Sequence, residues 1–300
     1  MNINKLFYKI IRIPLIFIFI KTPLIKILEN RFKKNKKERS NLILRLLDYL
    51  FASEYFVKLK NSEKINKLCD WSIIEGGGRM WAEYYYNNHF RTLENLQKRK
   101  YGNMKFNEAN PIFTEMVNYI KSNKFDEDKN SYIIQIGSSS GCDLEFFYKI
   151  FPKINYISTD VSDEIIHFQK EKHKYENFSF FKCKAENIDE CFKKYDLQYK
   201  KVIIFSSSSL QYAHPYHLEI FFNKLKLLKN LNLFICETVN YNFLEKGIYK
   251  SKFIGDYSFS HNYKKYAENF TVLDSKILKP HDQNDALHKF IGIYYLHLRI

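Results

Sequence analysis

Two glycines and an aspartate are spaced as a nucleoside-binding site requires. Gly137 and Gly141 bracket three serines directly after a short apolar run, and Asp160 follows 19 residues beyond Gly141. Small residues at a strand-to-helix turn let the backbone approach a ligand, and the free N–H groups of the next helix favour its polar atoms. A carboxylate about 20 residues further on accepts hydrogen bonds from ribose hydroxyls. These residues predict a site for a nucleoside-containing ligand.

The glycine spacing distinguishes two such ligands. A dinucleotide fingerprint requires glycines at positions 137, 139 and 142, and the chain has only the first of them. The turn instead resembles the GxGxG turn of class I S-adenosylmethionine-dependent methyltransferases, with Ser139 in place of the second glycine. The resemblance implies that S-adenosylmethionine (SAM) is the cofactor, bound at Gly137, Ser139 and Gly141, with Asp160 on its ribose.

Two neighbouring segments resemble the same family, each with a departure. Gln135 stands where the first strand usually carries an acid, and its amide oxygen can still accept from the methionine ammonium, without the charge. The segment from Lys184 to Ile188 resembles the adenine-binding segment, but Lys184 replaces the usual Asp. The backbone of Ala185 or the carboxylate of Glu186 is then expected to contact the adenine.

A serine-rich segment follows the fourth predicted strand. Ser206 to Pro215 resembles the SSxLQYxxDP segment of bacterial methyltransferases associated with surface-polysaccharide genes, with His214 in place of the acid. In parallel sheets the ligand crevice lies at the carboxyl ends of the strands, so this loop should face the transferred methyl group, with Ser206 near the cofactor. The resemblance implies a bacterial enzyme of glycan biosynthesis that methylates a hydroxyl of a sugar or glycan precursor.

Methyl transfer from a sulfonium is an in-line displacement, so orientation matters most and is worth an effective molarity of about 10⁵ to 10⁸ M. An alcohol acceptor must also lose a proton, to which a positioned base contributes roughly 10²- to 10⁴-fold. The candidates for this base are His214, Glu237 and His261. The competing interpretation is structural: His214 precedes a helix-opening proline, and His261 could cap a helix.

No metal is expected. His214 and His217, with His281 and Asp282, could be imagined as ligands, but histidines three residues apart are common by chance and no second fixed pair supports them. The five cysteines include no CxxC pair, which argues against a thiolate zinc site and a disulfide framework and favours a reducing, cytoplasmic location.

Strands and helices alternate from residue 131, which predicts a Rossmann-like α/β fold with a mostly parallel seven-stranded sheet and helices on both faces. The last two strands form an antiparallel hairpin, as class I methyltransferases have, and the resemblance covers residues 110–300. The predicted strands are Tyr132–Ile136, Tyr156–Thr159, Phe178–Lys182, Val202–Phe205, Leu231–Cys236, Thr271–Leu278 and His288–Ile300. The predicted helices between them are Leu144–Phe151, Asp163–His173 and Tyr216–Lys229.

Residues 41–109 are expected to form a helical cap on the substrate side. Apolar residues at helical spacing predict one helix over residues 41–60, and a second stretch, Arg79–Arg99, carries Trp81, Tyr84, Tyr85 and His89. These aromatic residues either cover the acceptor pocket or belong to an ordinary core. Asn110 and Pro111 predict the N-cap and first residue of a third helix, ending near Ser122.

The N-terminal segment, residues 1–40, is basic and apolar. It holds +9 of the chain's net charge of +15. Its longest apolar run, Ile13–Ile20, contains Pro14 and is far shorter than the ~18–20 residues that cross a bilayer, and no signal-peptide cleavage site follows it. Such a segment either lies on an anionic membrane surface from the cytoplasmic side or packs on the protein as a helix.

Two other functions remain open. The positive charge suggests an RNA methyltransferase, but a phosphate-binding patch should extend over the domain, and most of the excess charge lies in residues 1–40. Nucleic acid is therefore not the expected partner. The departures at Gln135, Ser139 and Lys184 suggest a non-catalytic scaffold that keeps the fold at the membrane. The sequence does not decide the oligomeric state.

Overall fold

The computed structural model describes residues 78–89, 93–247, 250–255, 258–282, 284 and 290–300, together with Pro14. Its strands are β1 Lys100–Tyr101, β2 Met104–Lys105, β3 Ser131–Ile136, β4 Asn155–Asp160, β5 Phe178–Lys182, β6 Lys201–Ser207, β7 Asn230–Asn240, β8 Ser251–Gly255, β9 Ser258–His261, β10 Thr271–Leu278 and β11 Ile291–Arg299. Its helices are α1 Gly78–Asn88, α2 Leu93–Lys98, α3 Phe106–Ala109, α4 Ile112–Ser122, α5 Cys142–Ile150, α6 Asp163–Lys172, α7 Ile188–Lys194, α8 Pro215–Leu225, α9 Tyr241–Lys246 and α10 Tyr263–Tyr266.

Seven of these strands form one sheet in the order β10-β11-β7-β6-β3-β4-β5. The five strands from β3 to β7 are parallel. Strand β11 is antiparallel to both β7 and β10, so the sheet ends in an antiparallel hairpin. The predicted fold, a Rossmann-like mostly parallel sheet with a C-terminal hairpin, is confirmed.

The sheet is covered on both faces because its central strands are apolar on both sides. Successive residues of β3 belong to different cores: Ile134 packs with residues of α7 and α8, and Ile133 packs with residues of α4 and α5. Because strands β3 to β7 are parallel, their carboxyl ends all lie at one edge of the sheet, between the two layers of helices. That edge is where the candidate site residues meet.

Several predicted boundaries are wrong in detail. The helix predicted over Arg79–Arg99 is two helices, α1 and α2, and His89 between them is not helical. The helix predicted to begin at Pro111 is α4, which begins one residue later, at Ile112, with Pro111 as its N-cap. Asn110 does not cap it, because its side-chain amide donates to Ser207. Strand β7 extends to Asn240 because its last residues pair with β11 alone.

The hairpin of β8 and β9 was not predicted, and His261 is its last residue. The segment 1–40 (apart from Pro14), the predicted helix over 41–60 and the side chain of Trp81 lie outside the described residues. Among the helices that the structure describes, none has the length and apolarity to cross a membrane.

Candidate functional site

The turn after β3 has left-handed backbone at every second residue. The φ angles are +65° at Gly137, +47° at Ser139 and +75° at Gly141. This is the conformation for which a GxGxG spacing selects, since it costs an L-residue about 1–2 kcal/mol and glycine almost nothing. Ser139 adopts it despite its side chain. The turn therefore has left-handed backbone at its middle position although a serine stands there.

A network of polar side chains beneath the turn accounts for this. Gln169 of α6 donates through Nε2 to Ser138 Oγ (2.8 Å) and to the carbonyl oxygen of Ser139 (2.6 Å). Ser158 of β4 contacts Ser138 Oγ (2.6 Å) and donates to Gln169 Oε1 (2.7 Å). Gln169, Ser138 and Ser158 are all buried. Because these bonds hold both sides of Ser139, they offset the strain of its backbone.

Asp160 lies at the carboxyl end of β4 and contacts the same turn. Its Oδ2 accepts from the backbone N–H of Ser139 (3.0 Å), and its Oδ1 accepts from that of Ser162 (3.1 Å). Burial raises the pKa of the Asp160 carboxyl, although these N–H groups act in the opposite direction. A carboxylate offers about four acceptor positions, so beyond the N–H groups of Ser139, Ser162 and Val161 it can still accept a further hydrogen bond.

Gln135, near the end of β3, has a buried oxygen ready to accept. Its Nε2 donates to Asp143 Oδ2 of α5 (2.7 Å), which fixes the orientation of the amide. Its Oε1 is buried and has no hydrogen-bond partner among the described residues. An unpaired buried acceptor is costly, roughly 1–3 kcal/mol, unless a ligand supplies a donor. Gln135 Oε1 is therefore available to accept a hydrogen bond from a ligand.

A second acceptor of this kind lies on the same face of the sheet. Asn110 donates through Nδ2 to Ser207 Oγ (3.1 Å), while its Oδ1 is buried without a partner in the part of the chain that the structure describes. Gln135 pairs with Phe205 of β6, and side chains alternate along a strand, so Gln135 and Ser207 face the same side. Gln135 and Asn110 therefore offer two neutral acceptors on one face of the sheet, and Gln135 lies beside the Asp143 carboxylate.

Asp143 is a further candidate site residue, which the sequence motifs did not indicate. It lies in the first turn of α5, and its Oδ1 is 2.6 Å from His89 Nε2 at the end of α1. The signal was an acid two residues beyond Gly141, where a helix N-terminus favours negative charge. Through His89, which follows α1, this helix reaches the edge of the sheet that carries the turn.

The adenine segment lies beyond β5. Ala185 and Glu186 open a 3-10 turn, Ala185–Asn187, and both are partly exposed. Glu186 Oε1 is 3.3 Å from His217 Nδ1 of α8. The Glu186 carboxylate is thus held by α8, while the backbone of Ala185 stays at the carboxyl edge of the sheet.

Ser206 and Glu237 together shape the loop after β6. Glu237 is fully buried, and its Oε1 accepts from Ser206 Oγ (2.5 Å) and from the N–H groups of Ser209 and Leu210 (3.0 Å each). Its Oε2 accepts from the N–H of Gln211 (3.2 Å). Burial raises the pKa of Glu237, and these donors act against that rise. The carboxylate organises a loop that returns to the turn, since Ser209 Oγ donates to the carbonyl of Gly137 (2.9 Å).

His214 and His261 are both buried and lie against the backbone. His214 is the N-cap of α8, and its Nδ1 accepts from the N–H of Tyr216 (3.1 Å). His261 Nδ1 is 2.6 Å from Ser251 Oγ, and its Nε2 is 3.1 Å from the carbonyl of Ala213, to which it donates. Each of the three candidate bases therefore makes a hydrogen bond to the backbone. Glu237 bonds the loop after β6, His214 bonds the N-terminus of α8, and His261 bonds the carbonyl of Ala213.

His261 makes a testable contribution to stability. Burial lowers its pKa to about 3, so the folded protein keeps the imidazole neutral. A group with a lowered pKa of this kind stabilises the fold above its unfolded pKa of ~6.5 and loses that contribution as the pH falls. We expect this to lower the unfolding free energy by about 2 kcal/mol between pH 7 and pH 5. Urea unfolding of the wild type and His261→Phe at both pH values measures it, and an equal pH dependence in the two would contradict the assignment.

Among the described residues, the four considered as metal ligands do not form one group. The ring of His214, the N-cap of α8, lies 6.0 Å from that of His217, whereas His281 packs against Tyr101, with ring centres 5.3 Å apart.

No protein-family model matches the chain, and no curated protein matches its sequence. The solved structures to which the chain is similar include SAM-dependent methyltransferases. One, a SAM-dependent methyltransferase from Anabaena variabilis, has a TM-score of 0.45 and 12% sequence identity, over 74% of this chain and 92% of that chain. A second, from Aquifex aeolicus, has a TM-score of 0.42 and 15% identity, over 65% and 92% of the two chains. The cyclopropane synthase MmaA2 from Mycobacterium tuberculosis has a TM-score of 0.42 and 9% identity, over 56% and 78%.

Proposed function

We propose that this chain transfers a methyl group from SAM to an acceptor hydroxyl. One observation carries the proposal: positions 137, 139 and 141 all have left-handed backbone, and the acid at the end of β4 accepts from the N–H of the middle one. The spacing that resembles a SAM site in the sequence thus corresponds to one physical turn at the carboxyl edge of a parallel sheet, where such folds bind nucleosides.

The polar groups around the turn fit this cofactor. The Gln135 amide oxygen is buried and lacks a donor, the Asn110 oxygen likewise, and the Asp143 carboxylate lies beside Gln135. Three acceptors on one face suit an ammonium group such as that of the methionine moiety. Asp160 has acceptor capacity left for a ribose hydroxyl, and we propose that the Ala185 backbone and Glu186, in the segment after β5, contact the adenine.

SAM supplies an electrophilic methyl group whose thioether departs neutral, so the protein has mainly to align the reactants. Gln135 and Asp143 fix the charged end of the cofactor, and Asp160 fixes its ribose. Ser209 connects the loop after β6 to Gly137, so the loop facing the methyl group is held in register with the turn. Glu237 keeps this loop in shape from below.

The acceptor that we propose is a hydroxyl of a sugar or glycan precursor. What supports it is the resemblance of residues 206–215 to the segment of polysaccharide-associated methyltransferases. Deprotonation by His214, Glu237 or His261 stays a prediction, and their bonds to backbone groups favour a positioning role for each. Contact of residues 1–40 with an anionic membrane, like a cytoplasmic location, also stays a prediction.

Calorimetry with the full-length chain tests the function. We expect SAM and S-adenosylhomocysteine to bind the same site, each with a stoichiometry of about one. Absence of binding at millimolar cofactor would contradict the proposal and favour a non-catalytic scaffold. A chain lacking residues 1–40 then tests the RNA alternative. RNA binding by that truncated chain would favour a nucleic-acid acceptor over a glycan.

Gln135→Ala tests the ammonium subsite. We expect SAM to bind roughly tenfold more weakly, because the variant loses one hydrogen bond to a charged group, worth about 1.5 kcal/mol or more. The variant removes an unpaired buried acceptor but also the hydrogen bond from Gln135 Nε2 to Asp143, so its unfolding free energy should fall by about 1–3 kcal/mol. Gln198→Ala, an exposed glutamine outside the site, is the matched control. Equal affinities for the two variants would remove Gln135 from the site.

A further inference from the structure

Three side chains with metal-binding chemistry lie together behind the glycine-rich turn. Cys142, Glu145 and His173 each offer one atom, and these atoms all lie within 4.8 Å of one another. All three residues are buried, with exposed fractions of 0%, 5% and 2%. A thiol, a carboxylate and an imidazole that converge in the interior are the donor set typical of zinc and similar ions.

The local structure explains why they meet. Cys142 is the first residue of α5 and Glu145 lies three residues later, so both occupy the same side of the helix. His173 directly follows the last residue of α6. Its ring fits against the turn only because position 141 is glycine: a Cβ there would lie 2.8 Å from His173 Nε2. The glycine that shapes the turn also admits the imidazole.

The hydrogen bonds around the cluster orient its donor atoms. His173 Nε2 is 2.8 Å from the carbonyl of Ser140, which can only accept, so Nε2 bears a proton, and the neutral imidazole then has its lone pair on Nδ1. Nδ1 lies 3.7 Å from Glu145 Oε2, close to the separation of two ligands around one zinc ion. Glu145 Oε1 accepts from the Tyr175 hydroxyl (3.1 Å) and lies 3.0 Å from Lys149 Nζ. Histidine ligands in metal sites commonly donate their other nitrogen to a carbonyl in this way.

We propose that Cys142, Glu145 and His173 bind a divalent transition-metal ion of the zinc class. Sulfur and imidazole ligands disfavour magnesium and calcium, which prefer oxygen. On binding, the Cys142 thiol loses its proton to solvent, so thiolate and carboxylate balance the two positive charges, and a water molecule completes four-coordination. The ion joins the start of α5 to the end of α6 and stabilises the turn between β3 and α5. The proposal does not rest on methyl transfer.

Cobalt titration of the full-length chain, first freed of metal by a chelator, tests the site. We expect one equivalent of Co²⁺ to give a thiolate-to-cobalt charge-transfer band, which Zn²⁺ then abolishes by displacement. Cys142→Ser should lose the band, and Cys142→Ser and Glu145→Gln should each weaken Zn²⁺ binding at least ~100-fold. Cys191→Ser is the matched control, since Cys191 is an equally buried free cysteine on α7. It should change neither the band nor the affinity.

The site is disproved if the folded wild-type chain shows no saturable band at one equivalent, or if Cys142→Ser keeps it. The cluster is then an ordinary buried pairing of Glu145 with His173. Circular dichroism shows that each variant is folded, and if Cys142→Ser unfolds, Glu145→Gln decides alone through its Zn²⁺ affinity. Because the readout is metal binding without SAM, failure of this proposal is distinct from failure of the methyl-transfer proposal.

Discussion

Asp160→Ala is expected to weaken SAM binding roughly 10- to 100-fold and to destabilise the fold at the same time. The carboxylate has two tasks: under our proposal it holds the ribose, and in the structure it already accepts from the N–H groups of Ser139 and Ser162. Its removal leaves these two partly buried N–H groups without that acceptor, which costs up to about 1–3 kcal/mol each. Calorimetry with SAM and urea unfolding, both on the full-length chain, measure the two effects separately.

A neighbouring acid provides the control for Asp160. Asp163 opens α6 three residues later, pairs with Lys182 and is exposed. Asp163→Ala should leave the SAM affinity unchanged and shift the unfolding free energy little, because exposed ion pairs contribute less than about 1 kcal/mol. If Asp160→Ala loses stability but binds SAM as the wild type does, Asp160 supports the turn without contacting the ribose.

Glu237→Ala should be the most destabilising substitution that we consider. The carboxylate accepts from four donors in a fully buried position, three of them backbone N–H groups of the loop after β6. At about 1–3 kcal/mol for each unpaired buried donor, we expect the free energy of unfolding to fall by about 4 kcal/mol or more. Glu237→Gln should lose less, since its amide oxygen can still serve the three donors at Oε1. Urea unfolding of both variants checks this order, with Glu219→Ala, an exposed acid on α8, as the control.

The pH dependence of Glu237 has a definite sign. Burial raises its pKa in the folded protein. A carboxyl with a raised pKa stabilises the fold while it is protonated, and that contribution is lost as the pH rises through the folded pKa. The difference in unfolding free energy between wild type and Glu237→Gln should therefore be larger at pH 4 than at pH 8. A difference that grows with pH would mean that the four donors outweigh burial.

The sheet was predictable because its strands are short apolar runs separated by helices and turns. The strand Phe178–Lys182 was predicted to the residue, and Thr271–Leu278 likewise. The full length of β7 was not, because its last residues pair only with β11, more than 50 positions away along the chain. The hairpin of β8 and β9 was missed for a similar reason: its residues do not alternate clearly, and its position depends on contacts with distant elements.

The site was predictable only where spacing determines geometry. Gly137, Gly141 and Asp160 follow from a strand, a turn and a second strand of fixed length, and the structure brings them to one edge. The partners of Glu237 could not be foreseen, because a carboxylate at the end of a strand reads equally well as a base and as a support for a distant loop. Asp143 and His89 meet across 54 positions, and neither belongs to a motif.

The polar network beneath Ser139 has a consequence for how tightly a ligand is held. Gln169, Ser138 and Ser158 fix the turn before anything binds, so the loss of conformational freedom that ordering a loop requires has already occurred during folding. A glycine at position 139 would be less strained but free to sample many more conformations. The turn between Gly137 and Gly141 is therefore preorganised, so a ligand that binds there loses less free energy to the ordering of the backbone.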